Sequence, residues 1–309
     1  MKKFLNLFLL FAVFQGIGTA AVLFMGTKFM QREASFKIPD SISMVVAGNS
    51  HPEVAFNDSL VRSLKNISFS GEALNYTYAR LRMTIEHNPN IRIAFIEFSE
   101  FELLRISDTR IWGDQYVLEH YAQLFPFLEA RDHAIMGENN PAGMIKGAVL
   151  QVRAVGSRII HGNYNYNRTL GGYLFLVGKK LDSTNLDGYA HRPDYQLSTS
   201  NHSIYTMKAI VDYCYAHDVK VYIIRSPLHE RLRKIFRKVP LHQTIKEQFK
   251  GVEFLDFGAY PATDQEFADF EHLNYKGARR FSNWFNGLLK KGLLETNDKQ
   301  KMINDNLGK

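Results

Sequence analysis

Cysteine is almost missing from this sequence: among 309 residues there is only Cys214. No internal disulfide can form, and no zinc-type ligand spacing is present. Cys214 lies in an apolar helical stretch and reads as a small buried hydrophobe rather than a nucleophile. With no cysteine near the N-terminus, lipoprotein attachment is excluded. The scarcity leaves an extracytoplasmic domain open, because a core of this size needs no disulfide. Also missing are a Walker loop, an RNA-binding signature, internal repeats, coiled-coil heptads and low-complexity tracts. No sign of charge dominates: 38 Lys and Arg stand against 31 Asp and Glu, a net +7. The one basic concentration is Arg231, Arg233, Lys234, Arg237 and Lys238. It reads as the solvated face of an amphipathic helix, or as a surface for an acidic polymer or lipid headgroups. Nucleic acid is not an expected partner. An apolar share of 45% and a charged share of 22% argue for a globular fold and against disorder.

What is present begins with one long apolar run. Residues 4–26 contain only Asn6 and Gln15 as larger polar side chains. About 23 residues of helix can span a hydrocarbon core of ~30 Å. Lys2 and Lys3 precede the run; Lys28 and Arg32, with Glu33, follow it. That bias places the N-terminus in the cytoplasm and the main domain outside. The rival is a cleaved signal peptide, with Gly18 and Ala20 as the small residues before a cut. The run continues through residues 22–25, which favours an uncleaved anchor. The expected layout is a transmembrane anchor at 1–26, a polar linker at 27–40, a main domain at 41–295 and a polar tail at 296–309.

In the main domain, short apolar runs at 42–47, 66–69, 91–96, 220–224 and 252–256 predict strands. Helical patterns are read at 54–64, 72–87, 204–217, 229–249 and 275–289. Alternation of this kind implies a parallel sheet with helices on both faces and ligands at the strands' carboxyl ends. From about 100 to 200 the alternation weakens. Helices are predicted near 115–130 and 141–160, then a Gly- and Tyr-rich stretch at 161–200 that includes Asn163-Tyr164-Asn165-Tyr166-Asn167. It reads as an insertion over the strand ends, either a solvated loop or a tyrosine-lined cleft or lid.

Two motifs carry chemistry. Gly48-Asn49-Ser50-His51 follows the first strand, which puts a serine hydroxyl at the carboxyl edge and its N–H near a helix start. Asp269-Phe270-Glu271-His272 follows the fifth strand, and three-residue spacing lets the carboxylate hold one imidazole nitrogen and free the other for a serine proton. Each is weak alone. Together they are stronger, because in a parallel sheet both loops open on one edge.

The pair resembles the first and last blocks of the SGNH/GDSL hydrolase superfamily. Asn49 stands where Asp is commoner, and Asp269-x-x-His272 continues as Leu273-Asn274-Tyr275-Lys276-Gly277-Ala278. The resemblance covers about 42–98 and 204–289. It implies a flavodoxin-like three-layer α/β/α sandwich with a central parallel sheet, here with an N-terminal transmembrane helix. It also implies Ser50 as nucleophile, His272 as general base and Asp269 as its orienter. The second block would supply a glycine N–H to the oxyanion hole; Gly71 is the candidate, unless it is only a turn residue. The third block's asparagine is missing from Ile96-Glu97-Phe98-Ser99-Glu100, and Asn75 or Ser99 are the candidates to replace it. His51, Arg225 and His229 are substrate-binding candidates. The plainer reading packs His51 beside the turn and makes the Arg225–His229 stretch the start of a helix. Asp256 is an alternative acid, further along the chain from His272. Nothing calls for a metal or an organic cofactor. Membrane-anchored members of the family that face outside move or remove acyl groups on envelope polymers. The expected function is therefore a serine-dependent ester hydrolase or O-acyltransferase acting on an acylated polysaccharide or other envelope ester, with a membrane acyl donor as partner for transfer. The alternative is a non-catalytic glycan-binding or assembly component on the same fold. A soluble lipase-like esterase is disfavoured by the anchor.

Overall fold

The computed structural model describes residues 1–182 and 198–307. Residues 183–197 of the Tyr-rich stretch, with Tyr189 and Tyr195, lie outside the described residues. In chain order the main elements are α1 (Lys2–Glu33), β1 (Met44–Ala47), α2 (Ser50–Ala55), β2 (Leu64–Asn66), α3 (Leu74–His87), β3 (Ile93–Glu97) and α4 (Glu100–Leu103). There follow α5 (Ala130–Asn139), α6 (Pro141–His161), α7 (Asn201–Ala216), β4 (Lys220–Arg225), α8 (Glu230–Ile235), α9 (Leu241–Gln248), β5 (Glu253–Asp256), α10 (Tyr275–Lys290) and α11 (Lys299–Asp305). They divide into two compact units, Met1–Phe36 with Trp112–Tyr166, and Lys37–Ile111 with Asn167–Lys309. The stretch read as one insertion is thus split between them.

The larger unit is the expected α/β fold. Its five strands are all parallel and ordered β2-β1-β3-β4-β5. The order reverses direction between β1 and β3, which opens a crevice at the carboxyl ends of those two strands. Every residue of β1 is buried, so helices cover both faces of the sheet. On one face Val46, Phe95, Tyr222 and Leu255 pack with Phe281, Phe285 and Leu288 of α10. Apolar residues at 278, 281, 285 and 288 form the buried stripe of that helix. Asn274 caps it, accepting from the Lys276 and Gly277 N–H groups.

Prolines explain the departures from the expected helices. α2 begins at Ser50, with Pro52 inside its first turn, where the missing N–H costs no hydrogen bond. The helix expected at 229–249 breaks before Pro240 into α8 and α9. The helix expected at 115–130 is interrupted at Phe125–Phe127, which contains Pro126. The strand expected at 66–69 is assigned at Leu64–Asn66, although bonds from Ile67 N to Val46 O (2.8 Å) and Phe69 N to Gly48 O (3.0 Å) continue its pairing. Part of the stretch read as a polar tail is α11, whose Ile303 is fully buried in the core.

In the smaller unit, α1 runs past the expected linker boundary to Glu33. It is long and apolar enough to cross a membrane, and its most apolar window has no buried residue. Ser35 pairs with the chain near Tyr164 through bonds of 2.8 Å, and Phe36 stacks on the buried Tyr166 at 5.1 Å.

Candidate active site

Gly48 turns the chain at the carboxyl end of β1. A Cβ there would lie 2.5 Å from Cβ of Glu97, at a φ of +155°. Only glycine lets this turn pass the end of β3. Gly48→Ala is expected to destabilise the fold by about 1–3 kcal/mol through overpacking, read as a lower denaturant midpoint.

The contacts of Asn49 explain why an amide stands at this position. Its Oδ1 accepts from the His51 N–H at 2.8 Å and caps α2, while its Nδ2 donates to Glu102. An Asp at 49 would set two carboxylates against each other. Glu102 also accepts from Ser99 N (2.9 Å) and Ser99 Oγ (2.8 Å), which caps α4. Ser99 is committed to that cap.

Ser50 is the first residue of α2, and its Oγ lies 2.8 Å from His272 Nε2. His272 Nδ1 lies 2.9 Å and 3.0 Å from the two carboxylate oxygens of Asp269. Asp269 Oδ1 also accepts from the N–H groups of Glu271 (2.7 Å) and His272 (2.8 Å), so the loop that presents the histidine holds itself in place. With its Nδ1–H donated to Asp269, His272 has Nε2 free to accept from the serine hydroxyl. All three side chains are partly exposed and open to a substrate.

Burial disfavours charge on His272, but the Asp269 bond and charge, with Glu271 and Glu53 nearby, hold its pKa above the ordinary histidine value. Burial pushes Asp269 up, and the bond and charge of His272 outweigh it and hold Asp269 low. His51 is buried, edge-on to Phe101 at 4.4 Å, with Nε2 3.4 Å from Glu271. Burial lowers its pKa. His51 therefore packs beneath the turn rather than facing a substrate.

Several carboxylates that sequence reading missed shape the site. Glu53, one turn after Ser50, is buried; burial raises its pKa to about 7 against the hydrogen bond from Ser70. Its charge supports that of His272. Glu53→Gln is expected to lower the His272 pKa, so that the reaction of a serine-directed fluorophosphonate with Ser50 sets in at lower pH. An onset that stays put or rises would contradict this. Glu97 ends β3, is fully buried, and accepts from Ser226 N (3.0 Å) and Ser226 Oγ (2.7 Å). Burial and the charge of Glu102 push its pKa well up. It braces β3 to β4. A glutamate in the first turn of the helix that begins at Ser50, and the Ser99-x-x-Glu102 capping box, were the available signals.

The remaining candidates are dispersed. Gly71 sits in the turn after β2 at φ +70°, and the Phe69 bond to Gly48 O brings that turn beside the serine. Among the described residues no acceptor takes the N–H of Ser50 or Gly71. Asn75 is buried at a small cavity lined by Glu72, Glu102, Ser107 and Arg110, which Ser50 does not line. Arg225 is paired with Glu100 (2.5 Å) and Asp256 (3.4 Å). His229 accepts from Arg231 N to cap α8 and lies 3.0 Å from Asp264. Asp256 serves Arg225, His242 and Gly258 N. Part of the Tyr-rich stretch does run along this edge: Gly172 N donates to Ser68 O (3.1 Å), Leu174 N to Glu53 O (3.0 Å) and Tyr275 N to Leu176 O (3.2 Å). His51, Glu271 and His272 offer metal-ligand atoms within 4.8 Å of one another. Both nitrogens of His272 are, however, already engaged by Ser50 and Asp269.

A protein-family model whose description names no function matches residues 194–294. That stretch carries Asp269 and His272 and leaves Ser50 outside. No curated protein matches the chain.

Proposed function

We propose that this chain is an SGNH-type serine ester hydrolase or O-acyltransferase acting on an acylated cell-envelope glycan. The observation that carries the reading is the 2.8 Å approach of His272 Nε2 to Ser50 Oγ, with Nδ1 held by Asp269. Ser50 Oγ attacks the ester carbonyl while its proton passes to His272, whose positive charge Asp269 stabilises. The N–H groups of Ser50 and Gly71 donate to the oxyanion. Collapse breaks the ester C–O bond, His272 returns the proton to the departing alcohol, and the acyl group stays on Ser50. Water or a sugar hydroxyl then attacks the acyl-serine and gives its proton to His272; collapse breaks the bond from the acyl carbon to Ser50 Oγ, and His272 returns the proton to that oxygen. Transfer would take its acyl group from a membrane donor. The apolar α1 supports attachment to a membrane, and the lysines before it support an extracytoplasmic catalytic domain.

A fluorophosphonate probe tests the reading. The folded wild type is expected to gain one adduct and Ser50→Ala none. Equal labelling of the two, or none on either, overturns it. Glu97 in the third block's place supports a second reading, a non-catalytic glycan-binding component, because a lost oxyanion donor costs about 10²–10³ in rate. Polysaccharide binding that survives His272→Ala, with no acyl chemistry, would favour that reading.

A further inference from the structure

We propose that α6 is a second membrane-contacting element, its outer face resting in the acyl and headgroup boundary of an anionic bilayer beside α1. The inference rests on α1 being the membrane anchor.

Helix α6 is apolar on two sides. Gly143, Gly147, Gln151 and Val155, spaced by four, form its buried stripe. A Cβ on Gly26 of α1 would touch Val155 Cγ1 at 3.3 Å, so the two helices approach closely there. On the far side Ile145 is 63% exposed, Val149 61% and Ile160 81%. At 3.6 residues per turn these three, with Val152 and Gly156, share an arc of about 80° opposite the buried stripe. Scattered exposed apolar residues need no explanation, but three large branched aliphatics exposed along one face of a single helix do.

Two further features say what covers it. The stripe is continuous with the anchor: Val152, Gly156 and Ile159 also line an apolar groove of about 430 Å³, whose other wall is Val22, Leu23, Met25, Gly26 and Phe29 of α1. The groove thus begins on the outer end of the apolar run and leads onto the exposed face of α6. The charge also fits. Residues 141–161 contain no Asp or Glu, and exposed Lys146 and Arg153 flank the stripe on one side. An apolar face edged by basic residues matches a surface of acyl chains beneath anionic phosphates.

The test uses spin labels on the full chain in vesicles of phosphatidylcholine and phosphatidylglycerol. Cys214 is buried and its thiol is pushed up to about 12, so it leaves a silent background. Labels at Ile145→Cys and Val149→Cys are expected to collide several-fold more with oxygen, relative to a water-soluble nickel chelate, than a label at Ser157→Cys. Equal ratios at the three positions overturn the inference. So does exclusion of the 145 and 149 labels from both reagents, the signature of a protein contact. Phe14→Cys in α1 separates the two readings. If it lies in lipid while 145 and 149 lie in water, only the α6 inference fails; if it too lies in water, the anchor reading fails with it.

Discussion

Ser50→Ala should lower kcat/KM toward an ester by about 10⁴–10⁶, because without the nucleophile neither the base nor its orienter can act. The same change should barely move stability. Among the described residues the Ser50 side chain bonds only His272, and it is partly exposed, so removing its hydroxyl costs about 1 kcal/mol or less. The combination is diagnostic: loss of turnover with an unchanged thermal midpoint. A serine that merely capped a turn would give the reverse.

Asp269→Asn should cost about 10³–10⁴ in rate while leaving the loop folded. An amide oxygen can still accept from the Glu271 and His272 N–H groups. Its NH₂ cannot accept the Nδ1 proton, so the imidazole would turn or take the wrong tautomer. The pH dependence follows from the two shifts. His272 has a raised pKa, so the stability it contributes is complete below the unfolded histidine value and is lost as pH rises through the folded value. Asp269 has a lowered pKa, so its contribution is present above the unfolded carboxylate value and is lost as pH falls through the folded one. The pair therefore stabilises most in mildly acid solution, between those limits. Activity needs neutral His272 and should rise only as pH passes its raised pKa. Stability from this pair and activity thus run in opposite directions across the same window. In Asp269→Asn the stabilising contribution of the pair should disappear and the acid limb should move to lower pH, with the charges of Glu271 and Glu53 left to raise the His272 pKa. A rate profile from the variant with the wild-type limb would show that Asp269 does not set the charge of His272.

The sheet was legible because its strands are short runs buried on both faces, such as Val45-Val46-Ala47 and Ile223-Ile224. Such runs stand out between amphipathic helices. Ser50, Asp269 and His272 were legible because chain order and strand-end placement fix where they must meet. The carboxylates around them were not. Glu53, Glu97 and Glu102 look in sequence like surface acids, and only burial and partners reveal a raised pKa or a brace. His51 and Arg225 misled for the complementary reason: polar residues at strand ends suggest a ligand, and here they serve Phe101, Glu100 and Asp256. Helix ends were misplaced where a proline is harmless, as Pro52 is in a first turn, or decisive, as Pro240 is before α9. The association of α1 with residues 112–166 left no periodic trace, because contacts between elements far apart in sequence are not written in local pattern.

The most direct measurement is the intact mass of the full chain after brief exposure to an activated acetyl ester, followed by peptide mapping. One acetyl group is expected on Ser50, formed in wild type and not in Ser50→Ala or His272→Ala, and discharged on addition of a polysaccharide acceptor or with time in water. An acetyl group that maps elsewhere, or that forms equally in His272→Ala, would contradict an acyl-enzyme built on Ser50, His272 and Asp269.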